Sequence, residues 1–261
     1  MVEAFNLKRF NLLSGDATVR NSLISLGGVL VTDYVPRANI LDIRVGAAGI
    51  QNTTLQRGYK AGSDFIRRRH TTRIIEVEIE LPLDRQTYPE NVHLIRAWAD
   101  KAEPQEMILS AYRDRKIMVS CTNLNEFSQK EWWLPVILRF EAWEPYFVSR
   151  SARTAKVGEV FTVNGDVEPV VYLTHDLGSS TALSNPKWVL DGGKHVALNR
   201  TFSGGKIDIN FDNGAVVYND QSVLEDMTLT SRMSPFANIT PGQHVISGPT
   251  GGVITWYERW L

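Results

Sequence analysis

Alternation with period two runs through the first half of the chain. Ile74 to Leu81 reads IIEVEIEL, with Ile75, Val77, Ile79 and Leu81 on one face and Glu76, Glu78 and Glu80 on the other, which predicts a strand buried on one side only. Trp132 to Ala142 repeats the pattern through Trp132, Leu134, Val136, Leu138, Phe140 and Ala142, and Pro135 marks an edge or a bulge within it. Trp132 and Trp133 are consecutive, so they point to opposite sheet faces, one into the domain and one toward a partner. Further strands are predicted at 5–13, 29–34, 40–45, 107–111 and 116–121. One segment has the helical period instead. Pro89 follows Thr87 at a helix start, and Val92, Ile95, Ala99 and Ala102, with Leu94 and Trp98, give three-and-four spacing, which predicts an amphipathic helix over about 89–101.

The pattern changes after Glu144-Pro145-Tyr146-Phe147 and the polar run Ser149 to Thr154. Beyond it, short apolar runs alternate with turn signals about every ten residues: Asn164-Gly165-Asp166, Asp191-Gly192-Gly193, Ser203-Gly204-Gly205, Asp212-Asn213-Gly214, Pro241-Gly242 and Gly251-Gly252. That rhythm is the signature of an antiparallel sandwich. Lys206 to Phe211 alternates, passes through Asp-Asn-Gly and returns over Ala215 to Tyr218, which predicts a hairpin. The chain therefore reads as mainly β in two domains: 1–150, with one helix and an arm at about 56–73, and 156–261, the sandwich.

Charge follows the same division, with 20 basic and 18 acidic residues up to Arg150 and 8 and 11 from Ser151 onward. The net charge of −1 over 261 residues gives no bulk attraction to nucleic acid or to an acidic membrane. Cys121 is the single cysteine, so there is no internal disulfide, no CxxC pair and no cysteine cluster for zinc, and folding in a reducing cytoplasm fits. Lys8 and Arg9 interrupt the first apolar stretch, and Leu23 to Val31 carries Gly27 and Gly28 and is far too short to span a bilayer. Neither an export signal nor a membrane helix is expected.

The patterns HExxH, GxSxG, GxGxxG and the P-loop are all missing, so no catalytic residue is assigned. His70, His93, His175, His195 and His244 lack helical metal-ligand spacing, and no metal or cofactor is expected. Asp208-x-Asn210-x-Asp212 imitates the opening of a calcium loop, but its glycine falls one place late at Gly214 and its twelfth position is Asn219. The densest basic cluster is Arg67-Arg68-Arg69-His70, with Arg57, Lys60 and Arg73 nearby. An arm docking on a neighbouring subunit and a solvated loop are both compatible with it. Glu76, Glu78 and Glu80 have no partner within their own strand; they are a solvated face or, in a ring, a channel wall that repels DNA phosphates. Trp188, Trp256 and Tyr257 raise a third possibility, a sugar-stacking platform.

The order of these features resembles the distal tail protein family of long, non-contractile-tailed bacteriophages and prophages over essentially the whole chain. The resemblance is carried by the Arg57 to Arg73 arm, the IIEVEIEL strand and the single helix, and then by the exit Phe140-Glu141-Ala142-Trp143-Glu144-Pro145-Tyr146-Phe147. In the second domain it is carried by the opening Asn164-Gly165-Asp166-Val167-Glu168-Pro169, the Pro241-Gly242 turn and the closing strand Val253 to Leu261. It departs from the family in one place: Asn164 and Gly165 adjoin, where members commonly separate them by a residue.

The resemblance implies a hexameric ring at the virion tail tip, assembled in the host bacterial cytoplasm. The first domains would form barrel- or sandwich-like ring segments around a channel for DNA, with Arg57, Lys60, Arg67, Arg68 and Arg69 docking subunits or partners and Glu76, Glu78 and Glu80 toward the channel. Galectin-like second domains would project outward, and the ring would join the tail tube protein to an adhesin, fibre or receptor-binding protein, with no membrane partner. The number six rests on the resemblance alone. Three other functions stand beside it: a carbohydrate-binding module recognising host cell-wall glycans, a polysaccharide-degrading enzyme with carboxylates from distant strands, and a tail tube subunit.

Overall fold

The computed structural model describes residues 24–56, 63–82, 86–124, 135–191, 193–228 and 239–261. The strand expected at 5–13 and the Trp132–Trp133 pair lie outside them. The chain divides into two compact units, one running to Phe147 and including Leu261, the other covering Val148–Trp260.

In the first unit the strands are β1 (Ile24–Leu26), β2 (Val29–Leu30), β3 (Asn39–Val45), β4 (Ile50–Gln56), β5 (Ser63–His70), β6 (Arg73–Glu80), β7 (Gln105–Leu109), β8 (Arg115–Leu124) and β9 (Val136–Ala142). All but β4 and β5 join one antiparallel sheet in the order β3-β6-β9-β8-β7-β1-β2. β8 is the corner. Its Ile117 to Val119 pair with β7, whereas Ser120 to Leu124 pair with β9 across a register shift after Cys121, and a strand that changes partner at a bulge bends the sheet around a core. The alternation of β6 is realised in full: Ile75, Val77 and Ile79 are buried opposite Phe140, Leu138 and Val136. Cys121 lies partly buried on the corner strand, and burial pushes its thiol up to about 11.

The predicted helix is α2 (Tyr88–Ala99), and it is preceded by a shorter one, α1 (Val31–Tyr34). The segment 29–34, expected as strand, keeps only β2 before turning helical. The Leu30 amide donates to the Asp33 carboxylate at 2.8 Å and the Val35 amide to the Val31 carbonyl at 3.0 Å, so a local side-chain acceptor overrides the β-branched run. α2 presents Val92, Ile95, Trp98 and Ala99 to the core. There the Trp98 indole meets Phe140 edge-on at 6.4 Å and donates its N–H to the Val29 carbonyl at 3.1 Å.

β10 (Phe147–Ser149) contains the division between units. The second unit continues with β11 (Arg153–Lys156), β12 (Val160–Val163), β13 (Val167–Ser184), β14 (Lys187–Leu190), β15 (His195–Ala197), β16 (Thr201–Asn210), β17 (Val216–Tyr218), β18 (Gln221–Ser222), β19 (Gly242–Ser247) and β20 (Gly252–Trp260). Two antiparallel layers result, β18-β17-β16-β13-β20-β11 and β12-β19-β14-β15. Between them lies one core that includes Phe161, Leu173, Trp188, Phe202, Ile209, Ile246 and Trp256. The predicted hairpin is β16–β17, with Ile207 opposite Tyr218 and Ile209 opposite Val216. The imitation calcium loop at its tip is spent on turn chemistry: the Asn210 side-chain oxygen accepts from the Asp212 and Asn213 amides at 2.8 and 3.3 Å, and Asp208 accepts from Thr174 at 2.6 Å and pairs with Lys206 at 2.9 Å.

His175 is buried in this core, 3% exposed, with the Trp188 ring 6.1 Å away and no hydrogen-bond partner for its Nδ1. Burial lowers its pKa, against a smaller opposing pull from Asp176. The unfolded chain therefore binds the proton first, so the stabilisation is whole above the ordinary histidine value and is lost as pH falls through that value toward the depressed one. We expect the thermal midpoint to fall between about pH 7.5 and 5.5 and His175→Gln to flatten that slope; a variant with the full slope would place the titration on another group.

Candidate interaction surfaces

Where an arm was expected over about 56–73, β4 (Ile50–Gln56) and β5 (Ser63–His70) form a two-stranded ribbon. β4 and β5 pair only with each other among the described residues, with Gln51 opposite Arg69, Asn52 opposite Arg68 and Thr53 opposite Arg67. Its base is clamped by backbone bonds: Gly46 donates to Ile74 at 2.8 Å, Gly49 to Thr72 at 3.2 Å, and Thr71 to Gly49 at 2.8 Å. The clamp needs glycine at position 46, where a Cβ would meet the Ile74 carbonyl oxygen at 2.9 Å. Arg69 is exposed and its Nε donates to Gln51 Oε1 at 2.7 Å. Arg57 and Lys60 lie outside the described residues, and for Arg67 and Arg68 only the backbone register is described. A two-stranded ribbon is marginally stable alone and presents unpaired edges.

Glu76, Glu78 and Glu80 line the polar face of β6, half-buried, and their counter-charges come from neighbouring strands. Arg44 on β3 stands opposite Glu76 and reaches Glu78 at 3.6 Å and Asp42 at 2.7 Å, while Arg139 on β9 faces Glu76 from the other side. Strand spacing alone hides these partners because they are distant in sequence. Counting Asp42 and Glu141, which share the face, acidic groups still outnumber the two arginines.

In the second unit the motifs that open and close the domain meet. Glu258 is buried, 3% exposed, and accepts from the Asn164 amide and side-chain Nδ2, each at 3.2 Å, and from Arg153 Nε at 3.2 Å. Its own amide donates to Ser149 Oγ at 3.0 Å. Gly165 lies so close to Arg259 that any Cβ would collide with that residue's carbonyl oxygen, and the Asp166 amide donates to the same oxygen at 2.9 Å. Pro169, which has no N–H to give, falls in the register shift between Val167 and Val170. The adjoining Asn164 and Gly165 are thus accommodated by a latch onto the last strand. Trp188 and Trp256, by contrast, are 1% and 4% exposed. Both indoles belong to the core, so the stacking platform expected from them with Tyr257 does not form.

Residues 164–260 match the family described as siphovirus-type tail component, C-terminal domain. The fold of the chain matches the crystal structure of the SPP1 Dit protein (gp 19.1), described as a paradigm of the hub adsorption apparatus in phages infecting Gram-positive hosts. The TM-score is 0.71 and the identity 15%, over 92% of this chain and 99% of that one.

Over residues 164–260 the chain is similar to the siphovirus-type tail component family, and over most of its length it shares the fold of the SPP1 protein.

The matched segment begins at Asn164 and ends at Trp260, so it opens and closes at the latch. Two chains of phage P2 baseplate structures in the activated conformation, with Ca and with Sr, align more loosely: TM-scores of 0.38 and 0.40, 10% identity in each case, over 83% and 85% of this chain and 90% of each of theirs. No curated protein sequence matches this chain. No helix among its described residues is long and apolar enough to cross a membrane.

Proposed function

We propose that this chain is a distal tail protein, a structural hub of the virion tail tip. Copies close into a hexameric ring around a channel that DNA traverses, joining the tail tube protein to an adhesin, fibre or receptor-binding protein, and the work is done by interfaces instead of by a reaction. The observation that carries this reading is the β4–β5 ribbon, whose edges find no partner strand among the described residues. Closed cyclic symmetry lets each ribbon lie on the next subunit with no open end. Arg57, Lys60, Arg67, Arg68 and Arg69 are the docking cations of that arm. Glu76, Glu78 and Glu80 face the channel, where a net acidic wall with Arg44 and Arg139 among its carboxylates avoids holding phosphates. The residues up to 150 form the ring, and those from 156 project from it. The fold shared with the SPP1 hub protein supports the assignment.

The test is molar mass across a concentration series by analytical ultracentrifugation. The intact chain is expected near six times its 29.4 kDa mass. Replacing residues 52–68 with a short glycine-serine turn keeps the Gly49–Thr71 clamp and is expected to give a monomer with unchanged circular dichroism. A ring that survives this replacement removes the arm from the mechanism, and a chain monomeric at every concentration removes the ring.

A further inference from the structure

The first unit contains a pocket of about 540 Å³ beside the ribbon base. Its walls mix polar and apolar surface, the apolar part built from Val45, Ala48, Ile50, Tyr112, Phe147 and Leu261, with Tyr112 and Phe147 in ring contact at 5.2 Å. Three basic side chains also line it: Arg73, Arg115 and His70.

Arg73 is the anomaly. It is 4% exposed, makes no ion pair among the described residues, and leaves its Nε without a hydrogen-bond partner. The face of Phe147 lies 5.2 Å from its guanidinium carbon. A buried guanidinium is costly unless it is paired, and burial lowers its pKa accordingly. His70 also holds a buried Nδ1 with no partner, its ring set edge-on to Tyr146 at 6.0 Å. Arg115 stands over Tyr112 at 5.5 Å, with Asp114 3.7 Å from its Nε. The Asp114 side chain is 74% exposed, and Leu261 lines the pocket beside the three basic side chains.

We propose that this pocket binds a carboxylate carried on an apolar stem: an acidic side chain of a docked polypeptide, with its hydrophobic neighbour on the Tyr112–Phe147 wall. The guanidinium fork of Arg73 matches a carboxylate in a two-point contact. The Tyr112–Phe147 side of the pocket favours a monoanion with a hydrocarbon stem over a doubly charged, strongly hydrated phosphate. The volume exceeds what a carboxyl group alone needs and falls within the range of small-ligand sites. The proposal does not depend on ring closure.

Ligand-observed NMR titration of the full chain tests it, with 3-phenylpropionate, its amide, inorganic phosphate and an acetyl-Phe-Glu amide dipeptide as probes. Phenylpropionate and the dipeptide are expected to saturate, about tenfold or more tighter than the neutral amide and than phosphate. Arg73→Gln is expected to abolish that preference. Arg115→Gln, at a less buried position, is expected to reduce it by about threefold to tenfold, and it keeps the test alive if the first variant does not fold. Equal binding of acid and amide overturns the proposal, as does phosphate binding as tightly as the acid, a dipeptide excluded while phenylpropionate enters, or a preference untouched by both substitutions.

Discussion

Trp188→Ala is expected to cost the second unit about 3–5 kcal/mol, the range for deleting a large buried aromatic. The indole is 1% exposed on β14, in the layer opposite β13 and β16, and its neighbours have little room to collapse: a Cβ on Gly248 would already meet the Trp188 ring at 2.7 Å. The His175 edge contact is lost with it. Hydrogen exchange followed by mass spectrometry reads the effect, and amides of β12, β14 and β19 should lose protection first. Retention of wild-type protection there would show that Trp188 does not hold the two layers together.

Phe140→Ala is the counterpart in the first unit, again with an expected cost of about 3–5 kcal/mol. Phe140 is fully buried between the sheet and α2, opposite Ile75 on one neighbouring strand and Cys121 on the other, with Trp98 edge-on above it. Its removal takes away the surface on which α2 rests. The measured signature is a lower urea midpoint with an unchanged slope, together with a change in the ultraviolet-excited tryptophan fluorescence, to which Trp98 contributes beside Phe140. A midpoint within about 0.5 kcal/mol of wild type, the range of ordinary surface substitutions, sinks the assignment of Phe140 as the keystone.

Much of the fold was legible because it is written in local period. IIEVEIEL, the 88–99 helix and the 207–218 hairpin each bury one face against a single core, so alternation or three-and-four spacing marks them directly. The turn α1 was not legible, because Asp33 decides it through one hydrogen bond while the surrounding residues favour strand. The surfaces were legible only in part. The acid triplet stood out, yet Arg44 and Arg139, which balance it, come from strands far along the chain. The arginine pocket draws on residues 70, 73, 112, 115 and 147, a combination no spacing rule contains. Glu258 did leave a trace: it occupies the same face of β20 as Ile254, Trp256 and Trp260, and a carboxylate at an inward position calls for partners, here Asn164 and Arg153. The tryptophans misled for the opposite reason. An aromatic on a strand looks alike whether it faces a sugar or a core, and Trp188 and Trp256 face the core.

The state of Cys121 bears on how copies would hold together in the proposed ring. With its pKa at about 11, the sulfur is almost wholly protonated at neutral pH and is a poor nucleophile. Oxidants therefore meet a slow-reacting thiol, which disfavours a disulfide between copies in the proposed ring. In the proposed ring, strength would then come from shape, charge and buried surface, contacts that can form and part again.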